Sequence, residues 1–350
     1  MKIANNRGGI MFGFNLTEYD KKVYEKELKN FLPDKIFDAH VHIWKKEFAP
    51  YGSHNGGSTW TDMVAEDLTV EDLMQTMKDL FPDKKVEELV FGGVLHDLDE
   101  TNEYVRISAE KYGFKTLYRS DYAMDADDLE SKVKQGGFLG LKPYISNSPS
   151  YIPSKEVRIL DFLPESHLQK ANKNGWIIML HIPRDDRLKD RVNLEQIKYI
   201  DSKYPNVKLI VAHVGRAYAK EDFGDAFKVL KETKNMYFDF TANLLDLAIT
   251  EGIKTVGVDR FIFGSDLPIA KMRMYRIVKD GVYFNVVPKG LYGKVEGEPH
   301  MLETEEKEVT NMLYEQILAF KRSAKELKLT DTQVEKVLYG NIRKLVDAVK

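Results

Sequence analysis

The chain has 350 residues, of which 43% are apolar and 11% aromatic, so it can bury a sizeable core and is not a disordered protein. Its 52 basic and 55 acidic residues leave a net charge of −3, which gives no reason to expect nucleic acid or an anionic membrane as a partner. The absence of cysteine excludes a disulfide framework, a thiolate nucleophile and a Cys-ligated metal, so a metal would have to rely on His, Asp, Glu or a modified Lys.

The first predicted element is a helix that begins near Thr17, where Thr17 and Asp20 match a capping box. Pro33 ends it, and the strand pattern KIFDAHVHI follows directly. We therefore expect residues 1–34 to form an N-terminal helical extension that precedes the main domain.

Strand and helix patterns then alternate along the rest of the chain. The strand candidates, each followed by a helix, are KIFDAHVHI, ELVFGGVLH, FKTLYRS, FLGLKPY, WIIMLH, VKLIVAH, NMYFDF and RFIFGSD. Several are continuous apolar runs, which is typical of parallel strands buried on both faces. Eight β/α units in order predict an α/β protein with a closed (β/α)8 TIM barrel over residues 35–350, which ends in two C-terminal helices. A doubly wound open sheet is the alternative, but it usually has a Gly-rich phosphate loop after the first strand, and DAHVHIW has none.

Three predicted links from a strand to the next helix are long, and they cover residues 44–68, 144–163 and 267–308. All three follow the C-terminal ends of predicted strands, where barrel enzymes build their active sites. We expect them to be irregular loops that surround a functional site.

Four histidines and one aspartate lie at these same strand ends. His40 and His42 alternate along the first strand, so their side chains point to one side of it. His181 ends the fifth strand, His213 the sixth and Asp266 the eighth. In a barrel these ends surround one mouth, and imidazole and carboxylate groups are suitable ligands for zinc and related divalent ions. The alternative, in which each is an ordinary core or surface residue, requires several independent coincidences.

The order of these residues resembles the amidohydrolase superfamily. The segments DAHVHIW, LHIPR, AHVGR, FGSDLP and VLYGNIRKLV look like its amidohydrolase-2 branch. That branch includes lactonases, other hydrolases and decarboxylases of the aminocarboxymuconate-semialdehyde type. The resemblance covers about residues 36–350 and says little about the substrate.

The resemblance implies a role for each of the five residues. His40, His42, His181 and Asp266 would bind one divalent metal ion, with Zn²⁺ as the first choice and Mn²⁺ as the alternative. His213 would act beside the ion by polarising or orienting water or substrate. Asp266 would also be a catalytic proton acceptor, because a carboxylate next to metal-activated water can take its proton and return it to the leaving group.

Two further strand residues leave alternatives open. Lys142 ends the fourth predicted strand, and Pro143 keeps it extended. A carbamylated lysine on this strand bridges two metals in binuclear members of the superfamily, whereas the amidohydrolase-2 pattern is mononuclear. We favour an unmodified Lys142 that pairs with a substrate carboxylate or with Asp266, and a structural ion pair is the alternative. Asp38 either supports a ligand histidine or forms a salt bridge at the base of the barrel.

Other residues near the strand ends are candidates for substrate binding. Arg216 and Arg273 carry guanidinium groups, which suit a carboxylate, and Arg276 lies in the same long link as Arg273. Tyr144 is a candidate wall residue, and His96 at the end of the second strand is either a substrate contact or a polar core group. These cations favour an anionic small-molecule substrate, and solvated loop charges are the alternative.

Together these patterns predict a metal-dependent hydrolase that acts on an ester, lactone or amide of a carboxylated small molecule. A metal-dependent decarboxylase and a non-catalytic barrel with a structural metal are the alternatives. No segment approaches the roughly 18 continuous apolar residues of a membrane span, and the N-terminal residues lack a secretory signal. We therefore expect a cytoplasmic protein without a membrane partner. A homo-oligomer agrees with the base rate for soluble enzymes.

Overall fold

The computed structural model describes residues 2–4, 10–12, 16–48, 64–65, 67–94, 96–292 and 299–349. Its strands are β1 (Lys2–Ala4), β2 (Ile10–Phe12), β3 (Lys35–Ile43), β4 (Lys85–Gly92), β5 (Lys115–Thr116), β6 (Tyr118–Ser120), β7 (Gly140–Pro143), β8 (Ile177–Leu180), β9 (Lys208–Val211), β10 (Met236–Asp239), β11 (Phe261–Ile262), β12 (Tyr275–Lys279), β13 (Val282–Pro288) and β14 (Met301–Thr304). Its α-helices are α1 (Glu18–Val23), α2 (Val70–Leu80), α3 (Leu98–Tyr112), α4 (Ala126–Gln135), α5 (Ile159–Phe162), α6 (Glu165–Asn174), α7 (Arg191–Lys203), α8 (Lys220–Phe223), α9 (Ala226–Leu230), α10 (Leu247–Val256), α11 (Met312–Glu326), α12 (Asp331–Glu335) and α13 (Asn341–Asp347). Among the described residues, no helix is long and apolar enough to cross a bilayer.

The strands β3 to β11 form the predicted barrel. The six strands β6 to β11 are neighbours in chain order, and β3, β4 and β5 form a second parallel group. The third predicted strand is divided between β5 and β6. The ring closes between the first and last barrel strands, where the Ala39 N–H donates to the Phe263 carbonyl (3.0 Å) and the Asp266 N–H donates to the His40 carbonyl (2.8 Å). The predicted (β/α)8 fold is confirmed.

A β-bulge in β3 changes which residues face the barrel interior. The register between β3 and β4 shifts between Asp38 and Val41, where β3 has one residue more than its neighbour. Alternate strand residues on the inner side form an apolar cluster with α13: Phe37, Ala39, Leu89, Phe91, Leu117, Ile177, Met179, Ile210, Ala212, Ile262, Ile342, Leu345 and Val346. Residues between them, such as Val41 and Val90, pack in a second cluster with the outer helices. The bulge therefore divides β3 into two segments with opposite alternation.

The second barrel strand is shorter than predicted. The pattern ELVFGGVLH extends to His96, whereas β4 ends at Gly92. The buried guanidinium of Arg119 explains the difference, because its Nη1 donates to the carbonyl of Gly93 (3.0 Å) and also to that of His96. These bonds take the place of strand pairing after Gly92. His96 therefore lies in a turn, and its predicted place at a strand end is wrong.

The link over residues 267–308 is not an irregular loop throughout. It contains a three-stranded sheet in which β12 and β13 are antiparallel and β13 and β14 are parallel. Asp280 and Gly281, both at positive φ (50° and 76°), join β12 to β13. An Asp-Gly pair between alternating apolar residues is a strong hairpin signal, which the sequence interpretation overlooked. Of the other two links, residues 144–163 include α5, and most of residues 44–68 lie outside the described residues.

The N-terminal helix is fastened to the rest of the chain by a buried ion pair. Asp20, whose capping box with Thr17 is confirmed, is fully buried. Its Oδ2 lies 2.6 Å from Nη2 of Arg273. The guanidinium of Arg273 therefore holds α1 in place and does not line the cavity described below. The expectation that Arg273 faces the substrate is not supported, because a buried carboxylate far away in sequence takes up its charge.

Glu88 on β4 is a buried carboxyl with an acidic neighbour. It is 8% exposed and pairs in register with Asp38 on β3. Burial and the nearby charge of Asp38 raise the pKa of Glu88 to about 8. Because this folded-state pKa exceeds the ordinary value, the protonated carboxyl favours the folded state, and that contribution is lost as the pH rises from about 4 to about 8.

We expect Glu88→Gln to stabilise the protein by about 2 kcal/mol at pH 9, because the amide has no charge to bury. At pH 5 the variant and the wild type should be nearly equal. Urea unfolding of both proteins at the two pH values measures the difference, and Glu87→Gln on the same strand is the control. An equal gain at both pH values would contradict a buried, proton-binding Glu88.

Candidate active site

A cavity of about 390 Å³ opens at the C-terminal ends of the barrel strands. Its lining residues are His40, His42, Trp44, Gly93, Val94, His96, Lys142, Tyr144, Ile145, Ser146, His181, His213, Asp266 and Ile269. The site residues predicted from the sequence are among them, except Arg216, Arg273 and Arg276 and the strand residue Asp38. The volume suits a small molecule, and the mixture of apolar walls with a few convergent polar groups is typical of a ligand site.

Asp266 contacts both histidines of the first barrel strand. Its Oδ1 lies 3.1 Å from Nε2 of His42 and 3.4 Å from Nε2 of His40. Burial alone would raise the pKa of Asp266, but the hydrogen bond from His42 and the surrounding imidazoles hold it well below its usual range. The residue also has a left-handed backbone (φ 62°), a conformation that concentrates at functional sites. Asp266 is therefore an ionised carboxylate that can bind a cation or accept a proton.

Asp239, at the end of β10, fixes the orientation of His40. It is fully buried, and its Oδ2 lies 3.0 Å from Nδ1 of His40. Its Oδ1 accepts the backbone N–H groups of His213 (2.8 Å) and Thr241 (3.1 Å). With Nδ1 donating to Asp239, the lone pair of His40 is on Nε2, which faces Asp266. The sequence analysis missed Asp239, although an acid at the end of the seventh predicted strand was an available signal.

Asp38 supports His40 through the backbone and forms no salt bridge with a described residue. Its Oδ1 accepts the backbone N–H groups of His40 (3.1 Å) and Ser265 (2.8 Å), so it joins the first and last barrel strands just below the site. Its Oδ2 is buried and has no hydrogen-bond partner among the described residues. Burial raises the pKa of Asp38 to about 7. Asp38 thus fixes the backbone of His40, and Asp239 fixes its ring.

His213 lies in a strained turn after β9. Residues His213, Val214, Gly215 and Arg216 all have positive φ, between 48° and 64°. Such a run is unfavourable for residues other than glycine, so the bonds from Asp239 and its neighbours must hold it. The turn brings the ring of His213 to 5.1 Å from that of His40 and 5.0 Å from that of His181, measured between centroids.

Three histidines of the site, His40, His181 and His213, are held in the uncharged form. Burial lowers the pKa of His40, His181 and His213 below the ordinary value. A neutral imidazole offers the lone pair that a metal requires. Nδ1 of His181 is buried and bonds to none of the described residues, so it has a free donor or acceptor site.

The donor groups fit a divalent cation. Ligand atoms of His40, His213 and Asp266 lie within 4.8 Å of one another. His42 and His181 line the same cavity, and the whole set consists of nitrogen and oxygen donors. Such a set suits zinc or manganese. This group of three differs from the predicted ligand set, which contains His42 and His181 and not His213. His213 belongs to the group because the left-handed turn directs its ring towards His40.

Tyr144 and Lys142 form one wall of the cavity. The Tyr144 hydroxyl donates to the Gly92 carbonyl (2.8 Å) and lies 3.2 Å from Nδ1 of His42, so it supports that histidine. Nζ of Lys142 lies 4.7 Å from the centroid of the Tyr144 ring. Burial lowers the pKa of Lys142 to about 8, although the charge of Asp266 opposes this shift. Since Lys142 has no ion pair with a described residue, the structural ion pair considered for it is not formed.

Of the two remaining residues predicted to contact the substrate, His96 lines the cavity and Arg216 does not. The His96 ring stacks on Trp44, with centroids 5.3 Å apart, at the edge of the cavity. Arg216 is half-buried, and its Nη1 donates to the carbonyl of Arg184 (3.2 Å) outside the lining. The structure thus brings His96 to the cavity and leaves Arg216 beside it.

Three solved structures share the fold at low sequence identity. A probable 2-pyrone-4,6-dicarboxylic acid hydrolase from Acinetobacter baumannii, with citric acid bound, has 14% identity and a TM-score of 0.55, and the match covers 89% of this chain and 99% of that one. An amidohydrolase from Burkholderia multivorans with bound zinc has 11% identity and a TM-score of 0.59, with coverage of 89% and 99%. A dihydroxybenzoic acid decarboxylase from Polaromonas sp. JS666, with manganese and 2-nitroresorcinol, has 14% identity and a TM-score of 0.54, with coverage of 91% and 98%.

The sequence itself gives a clear family match. A comparison with curated proteins finds none that matches. The amidohydrolase-2 family model, described as amidohydrolase, matches residues 37–348, which include all but the first two residues of the barrel strands and every residue of the site. The chain therefore belongs to the amidohydrolase-2 family.

Proposed function

We propose that this protein is a metal-dependent hydrolase that opens an ester, lactone or amide bond in a small carboxylated molecule. The observation that supports this proposal most directly is Asp266. It is an ionised, partly buried carboxylate in contact with His40 and His42, and it lines a cavity of the size of a small substrate. A carboxylate in this position can take a proton from water and return it to the leaving group.

The residues proposed to hold the cation are His40, His42, His181 and Asp266. Zinc is the first choice and manganese the alternative, and each is present in one of the structures of similar fold. When bound, such a cation lowers the pKa of water and polarises a carbonyl group. His213 would orient the water or the carbonyl through its ring, which Asp239 holds in place through the backbone.

The wall of the cavity is proposed to position the substrate. The ammonium group of Lys142 has no carboxylate partner among the described residues, so it is free to bind a substrate carboxylate. The rings of Trp44 and Tyr144 line the space beside it and suit a flat molecule. His96, stacked on Trp44, would form the outer edge.

A decarboxylase is the second candidate, and a specific feature of the cavity favours it. Apolar and aromatic residues of the lining, among them Trp44, Ile145 and Ile269, make part of the cavity poorly solvating. A substrate carboxylate that enters this region loses hydration, which favours its departure as neutral CO2. The ionised Asp266 and neutral His213 would then control the proton that replaces it at carbon.

A product assay with controlled metal loading tests both candidates. We expect chelation to remove most of the activity and Zn²⁺ or Mn²⁺ to restore it. In a panel of aromatic and aliphatic carboxylated esters and lactones, acid release without CO2 indicates a hydrolase. CO2 release from the corresponding free acids indicates a decarboxylase. Full activity of the protein after its metal is shown to be absent would contradict both.

A further inference from the structure

Arg276, on β12, is a buried cation without an acidic partner. It is 7% exposed, its Nη1 donates to the Ala242 carbonyl (2.6 Å), and its Nε donates to Oδ1 of Asn285 (2.9 Å). Over the part of the chain that the structure describes, no carboxylate forms an ion pair with it, and its Nη2 donates no hydrogen bond. A buried charge without a counter-charge is costly, so its presence requires an explanation.

A second guanidinium lies on the same aromatic rings. Cζ of Arg276 is 4.2 Å from the ring centroid of Tyr218 and 4.9 Å from that of Tyr283, and Cζ of Arg187 is 4.7 Å from that of Tyr283. Arg187 has a carboxylate partner, Asp222, at 2.8 Å. Burial lowers the pKa of Arg276; Tyr218, Tyr283 and the more distant Asp222 oppose this shift, and the repulsion from Arg187 adds to it. Arg276, Arg187 and Asp222 together carry one net positive charge, which one further anion would neutralise.

This cluster lies within electrostatic range of Asp266, although neither Arg276 nor Tyr218 lines the cavity itself. Ala242, which Arg276 binds, follows the β10 strand that carries Asp239. The hydroxyl of Tyr218 has no hydrogen-bond partner among the described residues, and both Arg276 and Asp266 act electrostatically on it. Burial raises the pKa of Tyr218 to about 12, although the charge of Arg276 opposes this shift, so the phenol keeps its proton and can donate it.

We propose that Arg276 and Tyr218 form an anion-binding subsite that holds a carboxylate of the substrate whose reacting end lies at Asp266. The inference rests on the proposed function and specifies a substrate with a second acidic group. The Nη2 of Arg276 and the hydroxyl of Tyr218 would donate to the two carboxylate oxygens, and the charge of the carboxylate would balance the excess guanidinium.

A purely structural stack makes the opposite prediction about stability. If Arg276 only fastens the β12–β13 hairpin to the barrel, its loss should destabilise the protein and leave ligand binding unchanged. If it is held for an anion, replacing the buried, unpaired charge by an apolar side chain of similar length should cost little stability or increase it. The two readings therefore differ in two independent measurements.

Calorimetric titration with three probes tests the subsite. The probes are benzoate, benzene-1,3-dicarboxylate and benzene-1,4-dicarboxylate, applied to the metal-loaded wild type and to Arg276→Met, Arg276→Lys and Arg260→Met. Arg260 also binds backbone carbonyls, such as that of Thr233, but lies away from the cavity, so its variant is the matched control. We expect the wild type to bind one dicarboxylate at least about tenfold more tightly than benzoate.

Arg276→Met should lose this preference and keep its affinity for benzoate, with a melting temperature no lower than that of the wild type. Arg276→Lys keeps the positive charge but lacks the forked guanidinium, so its preference for the dicarboxylate should fall several-fold. This variant also tests the subsite if Arg276→Met does not fold. Arg260→Met should bind like the wild type. Equal dicarboxylate preference in the Arg276 variants and the wild type, or a wild type with no preference, would overturn the subsite.

The same titrations without metal separate this inference from the proposed function. A dependence of benzoate binding on the metal reports on the Asp266 site, whereas the dicarboxylate preference reports on Arg276. If benzoate binding depends on metal and Arg276→Met keeps the preference, the subsite alone is wrong. If the preference depends on Arg276 but the metal has no effect on any probe, the subsite is supported and the metal-dependent function is not.

Discussion

Replacing Asp266 by Asn is expected to lower turnover at least about a thousandfold while the protein remains folded. The carboxylate accepts the proton in the proposed reaction and contacts His42 (3.1 Å) and His40 (3.4 Å). An amide of the same shape accepts protons poorly and is a weak ligand, so both the rate and the retention of metal should fall. Steady-state kinetics with the best substrate of the panel, together with metal analysis of the dialysed protein, measures both effects.

The matched control for Asp266 is Asp259→Asn, which changes an exposed acid that pairs with Lys336. This variant should retain wild-type activity and metal content. Activity within tenfold of wild type in Asp266→Asn would contradict the assigned proton transfer. Loss of activity with full metal content would restrict Asp266 to the chemical step and exclude it from the ligand set.

Asp239→Asn is expected to weaken metal binding by about 10- to 100-fold and to reduce turnover. The carboxylate fixes the proton of His40 on Nδ1 (3.0 Å) and accepts the backbone N–H of His213 (2.8 Å). An asparagine can present its NH2 group to Nδ1, which would move the proton of His40 to Nε2 and remove the lone pair that faces Asp266. Competition with a chelator, and the visible spectrum of the Co²⁺-substituted protein, should both detect this change.

Asp125→Asn is the control for the backbone contacts of Asp239. Asp125 accepts the N–H groups of Asp127 and Asp128 at the start of α4, so it makes the same kind of bond without an imidazole. It should lose some stability and no metal affinity. If Asp239→Asn and Asp125→Asn both lose only stability, Asp239 supports the fold and does not tune the site.

The mouth of the barrel was predictable because it depends on local patterns. Apolar runs followed by His181, His213 or Asp266 define strand ends, and parallel strands bring their C-terminal ends to one side. The structure accordingly places these residues around one cavity. Their individual roles as ligands or catalysts stay predictions. All of them lie close together around the cavity, so position alone does not distinguish a ligand from a catalyst.

The partners of the loop cations could not be predicted, since they depend on residues far away in sequence. Arg273 and Arg276 are three positions apart in a segment read as one loop, and the sequence gives them the same chemistry. In the fold, Arg273 meets Asp20 from the N-terminal helix. Arg276 points instead to the rings of Tyr218 and Tyr283. The docking of α1 against Arg273 and the place of Arg276 on β12 produce this difference, and neither had been expected.

Strict alternation along the first barrel strand holds for the two histidines but does not extend to Asp38. His40 and His42 both follow the extra residue of the bulge, so their relative orientation is that of a regular strand. Asp38 precedes it and bonds to the backbone of His40 and Ser265. No local pattern marks the position at which a strand gains a residue.

That extra residue also limits how this strand can evolve. Phe37 and Ala39 fill the apolar interior, and His40 and His42 reach the cavity from the same side, although 39 and 40 are consecutive. Substitutions can therefore adjust either half without disturbing the other. Loss or gain of a single residue between the two halves would turn the side chains of one half towards the surrounding helices. We therefore expect β3 to tolerate substitutions on either side of the bulge better than an insertion or deletion at the bulge.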